Sequence, residues 1–452
     1  MDITALRQKL IKTHDGQIKL SKRIAKVGYD TTLGKLLRLK PYYSEGITML
    51  KAWRNFLYIR KEQIGNTYFA VDHAIMHTDH DQVKGLMQVE PQLRGNDLGI
   101  IRILADSYML GNPLSLGTNG KAHTGIRAVF HEALPDPWQK AAHLGSYVDS
   151  FLSEHTKLGK LHIGDDLPRF MVKILHHLVF QLNVSEEEVT NSRGYIKGLP
   201  LASLPTFLSK YILVFKTGPI LKHRKSLVQK YQVSPNWKAY AAAGQQYNLT
   251  ANEIANGLFD MIHIAGTAGT SALMGSVIGV LYLNDALRND VIHEINTVWT
   301  GDTPPTGDML RQATLLHKVV LETARLYPPV RFVSQLAKES GEVKIGEAKC
   351  PFQKGTRLLG SIFTANRDEQ RYVNPDDFSV DRDFSDLLSW NGGSHTRVCP
   401  GQELSIELIK VFCMYLFTKY QWQQATEVKW DFDNVTAVTP NDLELQGFAP
   451  KA

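Results

Sequence analysis

The middle of the chain is patterned for helices. Gly257 to Leu283 is long and apolar enough to reach the length of a membrane-spanning helix. Its interior, however, carries Asp260, His263, several Thr and Ser and many glycines, so the pattern predicts a buried central helix of a large soluble protein. Two capping boxes mark helix starts, Ser185 with Glu188 and Thr250 with Glu253, and the second opens that long helix. Further helices are predicted from Asp81 to Met87, over Lys121–Ala133, from Asp308 to Leu326 and from Gln402 to Tyr420. Pro328-Pro329 ends the one before it, because proline cannot continue a helix. Thr67 to Asp72 is β-branched and aromatic and reads as a strand. Val330 to Phe363 alternates with Gly turns, and Val428 to Phe448 reads as strand and turn. With no repeat and no linker, the pattern predicts one domain over residues 1–452, mainly α with small β-sheets.

Composition narrows the field. The 452 residues are 43% hydrophobic and 21% charged, which excludes collagen-like and disordered classes. The net charge of +6 is spread without a basic run, so no nucleic-acid partner is expected. Met1 to Arg23 alternates polar and apolar residues and holds no apolar signal core; a soluble, cytoplasmic protein without a transmembrane anchor is expected. Three cysteines, Cys350, Cys399 and Cys413, form no CxxC pair and predict reducing surroundings rather than a disulfide framework. His73, His77 and His80 have metal-ligand spacing, but strand followed by turn would scatter them. His176-His177 lies in an apolar helix and reads as core or surface. There is no P-loop, GxGxxG, HExxH or GxSxG, so any reductant comes from another protein.

Four features carry candidate chemistry. Glu322 and Arg325, three apart in an apolar helix, can pair on one face; most such pairs are solvated, and a buried one needs further partners. Arg382, in the segment Asn374–Arg382, supplies such a partner. The Gly-rich run Trp390–Gly401, with Gly393, presents Cys399 just before a helix, near Arg397. That setting favours a thiolate able to act as nucleophile or metal ligand, although an isolated Cys is most often simply buried. Finally, Ile264–Ser271, with Ala265, Gly266, Thr267, Gly269 and Thr270, is a run of small residues that opens a groove or permits close helix packing.

In this order the four features resemble the cytochrome P-450 (haem-thiolate) family. Glu322-xx-Arg325 looks like its ExxR motif, and Phe378-xxx-Arg382 like its aromatic–Arg segment, with Val380 where proline is usual. Lys354-Gly355-Thr356 and Asn366-Arg367-Asp368 resemble the intervening strand and turn. The resemblance implies the cytochrome P-450 fold, one haem b (iron protoporphyrin IX), and Cys399 as thiolate ligand of its iron, with Gly393 and Gly401 in the ligand loop. It implies a structural network of Glu322, Arg325 and Arg382. It also implies His123, Arg127 and Arg397 as propionate partners, and Ala265, Gly266, Thr267, Gly269 and Thr270 on the distal, substrate-facing side.

Two departures bear on the reaction. Where the family usually has an acid before a Thr on the long helix, this chain has Ala268 or Gly269. In the Cys loop, Gly392 stands where an aromatic is usual and His395 where a glycine is usual, while Trp390 lies nine residues before Cys399. Ser389–Gly393 with Thr396 looks like the branch of allene oxide synthases, hydroperoxide lyases and epoxyalcohol synthases. Plant members of that branch carry a longer Cys loop and usually an Asn near the position of Gly266 or Thr267. Fatty-acid peroxygenases also lack the acid but use an Arg–Pro pair that is missing here. Three functions therefore stay open. The first is a monooxygenase acting on a hydrophobic small molecule or lipid, supplied by a ferredoxin or flavoprotein reductase. The second is a fatty-acid hydroperoxide isomerase or lyase needing no reductase. The third is a haem protein that binds a ligand without turnover.

Overall fold

The computed structural model describes residues 3–29, 31–38, 52–70, 73–88, 120–198, 211, 213–392, 397–432 and 437–451. Seven helices build the region of interest: α1 (Gly120–Ala133), α2 (Ile163–Phe180), α3 (Glu186–Gly198), α4 (Val214–Tyr231), α5 (Ala251–Leu283), α6 (Thr314–Leu326) and α7 (Gln402–Lys419). They share one apolar core, to which Ile126, Leu175, Ile262, Val320 and Phe412 contribute.

Helix α5 is the axis of this core. Every residue from Thr270 to Leu281 is buried, which is why its pattern is apolar all round rather than on one face. Among the described residues it is the one helix long and apolar enough to cross a membrane, and 67% of its apolar window is buried within the protein. Both predicted capping boxes form. Thr250 N–H donates to Glu253 Oε2 at 2.8 Å while Glu253 N–H donates to Thr250 Oγ1 at 3.2 Å. Ser185 and Glu188 make the same pair of bonds ahead of α3. Between its two α-helical halves, Met261–Gly269 is π-helical, a geometry that widens the helix locally and is frequent at functional sites.

The helix expected over Asp308–Leu326 is instead two, Gly307–Gln312 and α6, broken at Ala313 (φ −74°, ψ 72°). The cause lies outside the segment. The Glu294 carboxylate accepts N–H bonds from Leu315 (2.6 Å) and Leu316 (3.0 Å), so a side chain from another helix satisfies the free N–H groups of a new helix start.

The strand predicted from Thr67 is β1 (Thr67–Phe69); a second strand, β2 (Ile75–His77), stands where the sequence predicts a turn, and the alternation from Val330 to Phe363 holds β3 (Phe332–Leu336), β4 (Gly341–Ile345), β5 (Ala348–Phe352) and β6 (Arg357–Ser361). One sheet has the order β1–β2–β6–β3, with β2 and β6 parallel, and β4–β5 is a separate antiparallel pair. From Val428 to Phe448 the described residues hold one short strand, Glu444–Gln446. The amino-terminal Ile3–Val27 is a single helix that buries Leu6, Leu10 and Ile24, and the first two join a second core with Phe56, Phe69 and Leu359.

Candidate functional site

The site is assembled outward from a buried ion network. Glu322 and Arg325 on α6 have no exposed surface. Arg325 clasps Glu322 with two bonds, Nε to Oε2 at 2.7 Å and Nη2 to Oε1 at 2.8 Å. Arg382 Nε adds a third donor at 3.0 Å, and Ser379 N–H a fourth at 2.9 Å. The remaining guanidinium hydrogens reach carbonyls of Asn366, Pro375 and Asp377 from Arg325, and of Val373, Asn374 and Asp377 from Arg382. Burying charge is costly unless the geometry is good and the leftover donors are satisfied; both conditions hold. The network therefore pins the loop from Val373 to Arg382 to α6.

From there a polar thread leads to the cysteine loop. Asn366 Nδ2 donates to Arg325 O, and Ser389 Oγ donates to Ala324 O at 2.7 Å. The next three residues, Trp390, Asn391 and Gly392, all have positive φ (56°, 68° and 40°), a conformation that costs energy for side chains such as tryptophan. Fixed bonds hold it. Trp390 Nε1 donates to Ser405 Oγ on α7 at 3.0 Å, Trp390 O accepts from Cys399 N–H at 2.8 Å, and Asn391 Nδ2 donates to Arg397 O at 2.8 Å. Gly393 lies outside the described residues. Cys350 and Cys413 are buried; Cys399 alone of the three is half-buried, with its thiol free.

Helix α1 links this loop to α5. Arg127 Nη1 donates to Val398 O, next to the cysteine, at 2.8 Å. One residue earlier, Ile126 packs against Gly257 of α5 so closely that a Cβ there would lie 2.4 Å from it. His123, one helical turn before Arg127, is buried, as is Arg397. Arg127 thus reaches the cysteine loop, Arg397 belongs to it, and His123 lies one turn from Arg127 on the same helix.

The five small-residue positions on α5 divide. Ala265 is exposed and Gly269 half-exposed with open space where a Cβ would project. Four residues apart, they lie close to one turn from each other and form an open strip in a run where Ile264, Gly266 and Ala268 are half-exposed too. Gly266 turns toward α2, where a Cβ would meet Leu175 at 2.6 Å, so its smallness serves helix packing. Thr267, half a turn from the strip, is fully buried and its Oγ1 has no hydrogen-bond partner. Thr270 is buried too. At these positions the chain thus exposes side-chain-poor residues and keeps the Thr267 and Thr270 hydroxyls inward.

Burial pushes the Cys399 thiol above its ordinary value, outweighing the Gly401 backbone N–H and the Arg127 charge, which favour thiolate. A cation bound at the sulfur would favour its anionic form. A half-buried free thiol, basic and donor side chains beside it and an open strip without bulky side chains fit a flat, anionic metal macrocycle such as haem.

The three histidines weighed as metal ligands are scattered. His73 hydrogen-bonds Gln17 and stacks on Phe69, His77 bonds Gln82, and His80 bonds Asp386 O. Among the described residues no group of three His, Cys, Asp or Glu is arranged for a metal ion. Sequence reasoning did miss a buried cluster of His176, His223 and His263 around α5; its signal was the spacing of Asp260, His263 and Thr267, which puts three polar groups on one face of an apolar helix.

Fold and comparisons agree on the class. The family model described as Cytochrome P450 matches residues 219–445. The solved structure of a retinoic acid-bound cyanobacterial CYP120A1 superposes with a TM-score of 0.70 and 17% identity, covering 88% of this chain and 95% of that one; the fold is the mainly α cytochrome P-450 fold. The chain belongs to the cytochrome P450 family, whose members bind haem. Curated relatives include cytochrome P450 98A1 of Sorghum bicolor, 27% identical over 45% of this chain and 40% of that protein. Cytochrome P450 3A17 of Cavia porcellus is 23% identical over 64% and 57%, and (+)-vincadifformine 19-hydroxylase of Catharanthus roseus 26% identical over 38% and 35%. The matched stretches therefore span about a third to just over half of those relatives' own length.

Proposed function

We propose that this chain is a haem-thiolate monooxygenase acting on a hydrophobic small molecule or lipid, with electrons from a separate ferredoxin or flavoprotein. In this reading residues 1–452 form one haem-binding domain, Cys399 is the iron ligand, and His123, Arg127 and Arg397 hold the propionates. The observation that carries it is the double contact of α1, which joins Gly257 of α5 to the carbonyl next to the only half-open thiol. Bound haem would supply oxidising chemistry at its iron, tuned by the thiolate and by hydrogen bonds to the sulfur. The chain itself does the rest. Arg127 and the Gly401 N–H stabilise negative charge on the sulfur. The fully paired Glu322–Arg325–Arg382 network keeps the loop from moving. The strip at Ala265 and Gly269 leaves room for an apolar substrate and presents no side chain that donates or accepts a proton.

That last feature favours a second reading, rearrangement of a fatty-acid hydroperoxide, which brings its own O–O bond and needs neither reductase nor an acid on α5. One assay separates the two. Haem-reconstituted protein is mixed with a polyunsaturated fatty-acid hydroperoxide without reductant. Rapid loss of the hydroperoxide supports the second reading. No loss, with turnover of apolar substrates only on adding NAD(P)H and redox proteins, supports the first. Cys399→Ser is expected to abolish the absorption band of reduced, CO-bound thiolate haem; its survival overturns both.

A further inference from the structure

We propose that His263, His223 and Ser192, with His176 and Tyr231 beside them, form a proton-sensitive latch that fastens α3 and α4 to α5 at the head of its π-helical turn. The hydrogen positions follow from the partners. His263 Nδ1 lies 2.9 Å from Phe259 O, which can only accept, so Nδ1 carries the hydrogen. In the neutral ring Nε2 is then an acceptor, and the Ser192 hydroxyl, at 3.0 Å, donates to it. The Ser192 oxygen in turn accepts from His223 Nε2–H at 2.9 Å. His176 repeats the design. Its Nδ1 donates to Val172 O at 2.7 Å, and its Nε2 accepts from the Tyr231 hydroxyl at 2.8 Å. The rings of His176 and His263 are 5.4 Å apart, so both chains meet in one buried cluster drawn from α2, α3, α4 and α5.

The order holds only while His263 and His176 are neutral. A proton from solvent bonding to Nε2 turns that acceptor into a donor facing a hydroxyl hydrogen. Ser192 or Tyr231 must then rotate, and its hydrogen loses its acceptor. An unmet buried polar group is costly, and the new charge meets neighbours of both signs, with the Glu188 carboxylate favouring it at His176 and His223. From α4 it faces Arg224 and Lys230. Arg224 is already paired with Asp260 of α5 at 3.2 Å, and Lys230 with Glu188 of α3 at 2.9 Å. Glu187 is the remaining carboxylate, acting on His223. Burial keeps His263 well below its ordinary value and His176 at about 4, so the latch is fastened at neutral pH. Asp260 is pushed up to about 6 by burial, so its proton uptake in the folded form offsets part of the acid loosening.

Helix α4 depends on this cluster. Of its six buried residues, Thr217, His223, Arg224 and Tyr231 carry polar groups, leaving Leu227 and Val228 as the apolar ones. The outer end shows exposed Val214 and Phe215, and Pro219 removes one helix hydrogen bond. Release of the latch therefore frees α4 first and the π-helical turn below it next. Only the consequence for the open strip rests on the proposed function.

The test is hydrogen exchange, read by mass spectrometry, on the haem-reconstituted full chain near neutral pH and near pH 4, where His176 is half-protonated. After correction for intrinsic exchange, amides of Val214–Tyr231 are expected to exchange at least about tenfold faster in acid, with α7 unchanged. Ser192→Ala is expected to raise exchange of α4 at neutral pH and flatten its pH dependence. His263→Gln, which accepts from Ser192 without titrating, is expected to keep α4 protected in acid. Equal protection of wild-type α4 at both pH values, or an acid response unchanged in both variants, overturns the latch. Carbon monoxide binding to the reduced protein is the second readout, since that ligand does not titrate. Binding rates that ignore the pH at which α4 opens overturn the link to the strip while leaving the latch standing. Failure to take up haem overturns the proposed function, and exchange on the same chain still judges the latch.

Discussion

Two buried polar assemblies flank the core of this protein and solve the same problem in opposite ways. Around α6, charges are kept. Glu322 accepts from Arg325, Arg382 and Ser379, and the spare guanidinium hydrogens end on carbonyls. Around the start of the π-helical turn, charge is mostly avoided: His176 and His263 are held neutral by burial and ordered by hydroxyls. The first arrangement takes its cations from guanidinium groups, which stay charged. The second is conditional on the proton concentration. The rigid anchor ties the loop from Val373 to Arg382 to α6, whereas the conditional one joins α3 and α4 to α5.

The contrast breaks most severely at Glu322. Glu322→Gln leaves two arginines facing one neutral side chain, which is expected to cost about 3–5 kcal/mol. Urea denaturation and the yield of haem-bound protein measure it, and a variant of normal stability would sink the anchor. Next comes acid. The His176 ring falls from 6.5 to about 4, so the unfolded chain takes up a proton before the folded one does. Its stabilising contribution is present above pH 6.5 and is lost as the pH falls toward about 4, by roughly 3 kcal/mol. Asp260, raised to about 6, acts in the opposite sense over the same range. The clean observable is therefore the stability of wild type relative to His176→Phe, followed against pH; a constant difference contradicts the reading. The smallest effect is expected from Arg382→Lys. An ammonium retains the charge near Glu322 but loses the fork that reaches three carbonyls, for about 1–2 kcal/mol, without a pH trend; an acid-dependent loss would place Arg382 in the wrong class.

Local signals served the sequence well. Ser185 with Glu188 and Thr250 with Glu253 are capping boxes in the structure, because a cap is made by residues three apart. Glu322, Arg325 and Arg382 were also legible, since a buried pair on an apolar helix demands a further partner. Interactions formed across the chain were less so. The break at Ala313 depends on Glu294, nineteen residues earlier in the chain. The differing burial of Ala265, Thr267 and Gly269 accompanies a π-helical turn that no short pattern announces. His176 read as a bland core or surface residue because its meaning comes from Tyr231 and His263, far away in sequence and supplied only by folding.

The three left-handed residues before the cysteine have an engineering consequence. Trp390, Asn391 and Gly392 are held by Ser405 on α7, by the Cys399 backbone N–H and by the Arg397 carbonyl, with Ser389 tied to Ala324 on α6. The loop is therefore not a portable cassette. Grafting it onto a relative without serine at the Ser405 position transfers the strain but not the fastening, and the recipient would relax the backbone that aims the sulfur. Exchange between such proteins must move the loop together with the first turns of the helix that follows it.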